Sequence, residues 1–201
     1  MCKGLSYVWS ISNVIKVLLV FIISIGCGNK KNDVPKYRFY NLANAGWKSK
    51  TLFHNVKQIN YKATQVPIQY YIYKDNVNED VAVVDSIYNS LSQERVIEFE
   101  FQHDSKDDLL KGDYTKRGYT EAVKYMSFQL QNDFEVITAS GKRIMCSGVT
   151  FERNFKLAPF KRVLLHFTGI PENENIQLLY EDKLFGNGLF KYNFKETPLK
   201  L

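Results

Sequence analysis

The chain has 201 residues and a mass of 23.4 kDa, room for one domain of ordinary size and too little for a large multidomain enzyme. An apolar fraction of 45% with 14% aromatics excludes a disordered chain, and 11 Gly with 5 Pro exclude a collagen-like one. Of 27 basic residues, Lys3 and Lys16 fall in an acid-free leader, so 25 face 21 acids in the remainder, a surplus too small to argue for nucleic acid from composition.

Residues 1–26 read as a processing segment. Lys3 and Lys16 lead into the nine-residue apolar run Val17–Ile25, then Gly26 and Cys27, after which Gly28-Asn-Lys-Lys-Asn-Asp33 is polar at once. As helix the run measures about 13 Å, far short of a hydrocarbon core of roughly 30 Å, and extending it backwards would draw Asn13 and Lys16 into the membrane.

The motif Ser24-Ile25-Gly26-Cys27 resembles the lipobox of bacterial lipoprotein signal peptides, with Ser24 standing where Leu is commonest. The resemblance implies cleavage before Cys27, acylation of Cys27, and anchoring of the mature chain to a lipid bilayer. Several acyl chains give durable anchoring where one is marginal. Among members of the enteric type, Gly rather than Asp after the Cys implies the outer membrane. Gly28-Asn-Lys-Lys31 also lacks the acidic cluster of many surface-exported members, which implies the periplasmic face. Cysteine usage agrees: with Cys2 in the leader and Cys27 acylated, Cys146 is left alone, and a single thiol in an oxidising compartment is best tolerated when buried.

Residues 27–36 are expected to form the lipidated N-terminus and a flexible tether, and residues 37–201 a single β-rich domain without internal repeats. Val66–Tyr73 is rich in strand formers, with Pro67 at a strand start or edge. Val81, Val84, Ile87, Tyr88 and Leu91 recur at helical spacing and predict one helix over about 79–91. In Glu94–Phe101, Ile97, Phe99 and Phe101 share one face and Val96, Glu98 and Glu100 the other, the pattern of a half-buried strand. The segment 121–138 fits a hairpin better than a helix followed by a strand, because Met126, Phe128 and Leu130 alternate and Asn132-Asp133 separates them from Phe134–Thr138. Further strands are expected over Arg143–Phe151, Lys161–Phe167, Ile176–Tyr180 and Leu189–Phe194, with Gly186 and Gly188 supplying positive φ between the last two. Seven or eight strands with one short helix predict a mainly β fold, an antiparallel two-sheet β-sandwich.

No catalytic signature emerges. His54, His103 and His166 form no local ligand motif, no metal or cofactor is signalled, and no nucleophile elbow, Walker loop or dinucleotide fingerprint occurs. Cys146 with His166 is the one conceivable thiol and base pair, yet Ile144-Met145-Cys146 places the thiol in a strand core. The strongest charge feature is Lys142–Arg162, where Lys142, Arg143, Arg153, Lys156, Lys161 and Arg162 face only Glu152. These six are the candidate surface for an anionic partner, either an envelope protein or a polymer; nucleic acid is not expected of an envelope protein. The expected function is therefore noncatalytic binding or assembly in the envelope. A hydrolase acting on glycan or peptide and a carbohydrate-binding module stand as alternatives.

Overall fold

The computed structural model describes residues 51–76, 80–154, 157–171 and 174–195. The leader, Cys27, the 28–36 tether and Lys156 lie outside the described residues. The fold is mainly β, with two antiparallel sheets packed face to face. Sheet I contains β1 (Thr51–Val56), β2 (Ile59–Val66), β3 (Glu94–His103), β7 (Phe160–Thr168) and β6 (Gly148–Glu152), in the order β1-β2-β3-β7-β6. Sheet II contains β5 (Arg143–Met145), β4 (Phe134–Thr138), β8 (Ile176–Asp182) and β9 (Gly188–Phe194), in the order β5-β4-β8-β9.

Alternation sets the core. Tyr61, Ala63, Ile97, Phe99, Phe101, Val163, Leu165 and Phe167 turn inward from sheet I, and Phe134, Val136, Leu178, Tyr180, Phe190 and Tyr192 from sheet II, into one shared cluster. Rings interlock between the layers: Phe99 lies 4.9 Å from Phe134 and 5.1 Å from Tyr180 between centroids, and Tyr61 stacks on Phe190 at 4.5 Å. Each such side chain, fully buried, contributes about 1.5–3 kcal/mol relative to exposure. Asp182 is buried among these rings. It accepts hydrogen bonds from the Tyr61 and Tyr180 hydroxyls at 2.8 Å and from the backbone N–H groups of Leu184, Phe185 and Asn187 at 2.9–3.2 Å. The carboxylate thereby shapes the turn from β8 to β9.

The sheets are joined where β5 passes into β6. The Cys146 N–H continues the β5 ladder by donating to the Phe134 carbonyl of sheet II at 3.1 Å, and the next N–H, of Ser147, donates to the His166 carbonyl of sheet I at 2.8 Å. The single strand expected over Arg143–Phe151 is thus two short ones in different sheets, a corner of the kind that closes two-sheet folds. At the opposite margin β1 meets β9 through side chains: the His54 ring contacts Phe190 and Tyr192, and its Nε2 is 3.2 Å from the Lys191 carbonyl.

Three local expectations are corrected. Val66–Tyr73 is not a strand: β2 ends at Val66, and α1 (Ile68–Asp75) begins after Pro67, whose ring fixes φ at −59°. Ile68, Tyr71 and Ile72 then recur at helical spacing, and Ile68 and Ile72 pack in a small cluster with Val84, Ile87, Tyr88 and Leu91 of α2 (Val81–Ser90) and its C-cap. Packing of one helix on another overrides the strand propensity of the segment. The segment 121–133 is not half of a hairpin: α3 (Gly112–Thr115) is followed by α4 (Tyr119–Lys124), a π-helical turn over Tyr125–Gln129 and a 3-10 turn over Leu130–Asp133. Ala122, Met126 and Leu130, each four residues apart, are fully buried while Phe128 is 72% exposed, so the period is helical. A β1–β2 hairpin precedes everything expected from the sequence, turning on Lys57 and Gln58 at φ 50° and 65°. Among the described residues no helix is long and apolar enough to cross a membrane.

Candidate functional site

On its outer face sheet II carries a groove of about 360 Å³ that crosses all four strands. It is lined by Asn132, Asp133, Phe134, Glu135, Met145, Leu179, Glu181 and Leu189. The strand register explains the set: Glu135 pairs with Met145 on one side and Leu179 on the other, and Glu181 pairs with Leu189, so these side chains project from the same face. Leu179 forms the floor at 6% exposure, while Met145 and Leu189 at the margins are each 56% exposed. A concave site of this size, with an apolar base and a few converging polar groups, is the usual form of a ligand seat.

The end of the groove is built by the helical segment that follows α4. The Tyr125 hydroxyl donates to Asp133 Oδ2 at 2.6 Å, and the Arg117 guanidinium lies 4.4 Å above the Tyr125 ring while donating to the Lys183 and Leu184 carbonyls. The β8–β9 turn is clasped in place by these bonds, which brings the Lys183 ammonium 3.4 Å from Asp133 Oδ1 and 3.0 Å from Glu181. Burial pushes the Asp133 carboxyl above its ordinary range, against the lowering effects of Tyr125 and Lys183. Glu135 is bound by Arg143, whose Nε is 3.0 Å from Oε2. Both oxygens of Asp133 are engaged, one by a hydroxyl and one by an ammonium, and its side chain is only 2% exposed. The groove therefore sets three carboxylates, held by Arg143 and Lys183 at its rim, around an aliphatic floor.

The basic residues singled out in the sequence do not share one face. Lys161 is an inward-facing residue of β7, 6% exposed, with its ammonium 3.2 Å from Asp108. Arg162, next in the chain, faces outward among carboxylates: its Nε lies 2.8 Å from Glu100 and 3.9 Å from Glu98, and its Nη1 3.5 Å from Glu152. Arg143 sits on sheet II, bound to Glu135; Lys142 and Arg153 are exposed, in the β4–β5 turn and just after β6. Strand alternation sends neighbouring lysines and arginines to opposite faces, which a count along the sequence does not register.

Cys146 lies in the shared core, where burial pushes its thiol above the ordinary range and its Sγ donates to the Gly148 carbonyl at 3.1 Å. His166 faces outward from β7, lowered by burial, and meets the Cys146–Ser147 corner through its backbone carbonyl. The two do not form a nucleophile and base pair. His103 is buried, its Nδ1 2.6 Å from Ser105 Oγ, with Ser105 in turn bonded to Asp107 in the turn after β3. Among the described residues no group of three or more His, Cys, Asp or Glu is arranged to hold a metal ion.

The groove was missed by the sequence reading, although a signal existed. Leu179 is apolar at the outward phase of a strand whose inward phase is already Ile176, Leu178 and Tyr180. No family model matches the chain, and no curated protein matches it. Among solved structures it is similar to the crystal structure of a DUF4426 family protein from Pseudomonas aeruginosa PAO1, at 11% identity over 75% of this chain and 97% of that one, with a TM-score of 0.38.

Proposed function

We propose that this chain is a lipid-anchored protein of the bacterial envelope that binds a partner without transforming it, and that the groove of sheet II is the binding seat. The single observation that carries the reading is that groove, 360 Å³ in volume, with Leu179 as its floor and Met145 and Leu189 exposed at its margins. Exposed aliphatic side chains gathered around a concavity gain free energy from being covered. Engagement of both Asp133 oxygens, and burial of Cys146 apart from the His166 ring, favour binding over acid–base or thiol chemistry. The lipobox-like Ser24-Ile25-Gly26-Cys27 supports acylation at Cys27, and Gly28 supports the outer membrane, periplasmic side.

Two measurements test the reading. Intact-mass analysis of the native protein should find residues 1–26 removed and acyl mass on Cys27; an unmodified full-length mass overturns the anchor. A photo-reactive side chain replacing Met145 or Leu189 should crosslink an envelope component in living cells, while the same group at Val83, exposed on α2, should not. Equal crosslinking from all three positions overturns the groove as the seat.

A further inference from the structure

We propose that the groove of sheet II takes an extended basic peptide segment of a partner protein, in which aliphatic residues flank Lys or Arg. The inference rests on the binding reading above and adds the chemistry of the occupant. From Met145 on β5 to Leu189 on β9 the groove spans four strands. Three strand spacings of about 4.8 Å with an offset of two residues along β9 give roughly 16 Å, the length of about five extended residues. A lone small cation would reach the carboxylates and leave Met145 and Leu189 in water; a peptide with alternating side chains covers both.

Charge selects the sign. Asp133, Glu135 and Glu181 line the groove; the nearest basic residue of the same face outside their own partners, Lys191, is exposed on β9 opposite Leu179 and stands outside the lining. The carboxylates' cations stand at the rim: Arg143 and Lys183 have side chains 63% and 50% exposed, and Lys183 is divided between two carboxylates. The Glu135–Arg143 and Glu181–Lys183 pairs, open to water on the cation's side, are worth about 0–1 kcal/mol, so an incoming guanidinium takes over either carboxylate at little cost, while buried Asp133 keeps its partners. Guanidinium groups suit the task because they bind a carboxylate through two parallel hydrogen bonds. An acidic segment would bring like charge against Glu135 and Glu181. A glycan would find aliphatic Leu179, Met145 and Leu189 where ring stacking needs an exposed aromatic, and Phe134, the groove's one aromatic lining residue, is fully buried.

The test uses the full chain in detergent and three short fluorescent peptides with identical aliphatic positions, carrying Arg and Lys, Glu and Asp, or Ser and Gln between them. Anisotropy should show the basic peptide bound at least about tenfold more tightly than either other, with affinity falling as salt rises. The pair Glu135→Gln and Glu181→Gln should lose about tenfold of that affinity with circular dichroism unchanged. Equal binding of the three peptides, or no loss in the double variant, overturns the proposal. Residues 36–50 of the chain contain Lys36, Arg38, Lys48 and Lys50 and no acid. If the basic peptide binds only after those four are replaced by Ser, the occupant is the chain's own stretch, and the assignment to a partner falls. If no peptide binds while Met145 and Leu189 still crosslink in cells, the peptide chemistry is refuted and the binding reading stands.

Discussion

On the outer face of sheet I, Lys62, Glu100, Arg162 and Glu152 stand opposite one another on β2, β3, β7 and β6, alternating in sign across the sheet; on the outer face of sheet II, Met145 and Leu189 stand in water at the two margins of a groove. The first face satisfies itself. Glu100, with a side chain 8% exposed, binds both Lys62 and Arg162, and Tyr71 reaches from α1 to Glu98 at 2.6 Å, fastening the helices to the sheet. The second face has the same kinds of charged residue, but its cations Arg143 and Lys183 are half or more exposed and its marginal apolar groups Met145 and Leu189 are uncovered. The contrast separates a surface whose polar groups serve stability from one that stays available to a ligand, although both arise from strands of similar alternation.

Removing one carboxylate from each face should expose the difference most strongly. Glu100→Ala leaves Lys62 and Arg162 without their shared partner in a partly buried row and should cost about 2–3 kcal/mol in urea unfolding. Glu135→Ala removes a pair whose arginine is 63% exposed and should cost about 0.5 kcal/mol. Equal losses would erase the distinction between the faces.

A smaller and more local effect is expected at the helices. Tyr71→Phe keeps the ring and deletes the bond to Glu98, about 1 kcal/mol. Because the cluster around Ile72 and Val84 is separate from the main core, that loss should appear as faster hydrogen exchange in 68–90 with the amides of β3 and β7 unchanged. Uniform acceleration through the strands would mean that the helices and sheet open together.

The smallest effect is one of pH, at the groove's own end. Since burial raises the Asp133 carboxyl, its favourable contribution is fully present below the unfolded carboxyl value of about 3.9 and is lost as pH rises through the higher native value. The stability of the natural chain minus that of Asp133→Asn should therefore fall with rising pH across this acidic interval and then level off. A difference that grows with pH would contradict the assignment of burial as the dominant cause.

Where one face of a strand is simply apolar and the other polar, the sequence was readable. Ile97, Phe99 and Phe101 point inward against Glu98 and Glu100, and Val163, Leu165 and Phe167 do the same on β7. Legibility ended where tertiary packing or backbone geometry decided. Lys57 and Gln58 hold a two-residue hairpin with positive φ and none of the Asn-Gly chemistry that announces such a turn. Phe128 completes an apparent alternation yet projects into water, since Ala122, Met126 and Leu130 bury a helical stripe. The groove depends on strand order: Glu135, Met145, Leu179 and Leu189 become neighbours only because β5, β4, β8 and β9 line up in that sequence of edges. Lys161 and Arg162 failed as a shared surface for the same reason that made β7 recognisable, its period of two.

The two margins of the sandwich differ mechanically. At one, a continuous backbone is stitched to sheet II through Cys146 and to sheet I through Ser147, so separating the layers there requires breaking main-chain hydrogen bonds. At the other, β1 meets β9 through the His54 ring and pairs in its own sheet with β2 alone, in a ladder from Thr51↔Thr64 to Val56↔Ile59, with Leu52 and Val56 packed on the core and Asn55 bonded to Asp104. Tension entering through Thr51 loads that ladder from its open end. Acting across the strands, such tension would meet the β1–β2 pairs one after another toward the Lys57–Gln58 turn, whereas the β2–β3–β7–β6 ladders lie behind them.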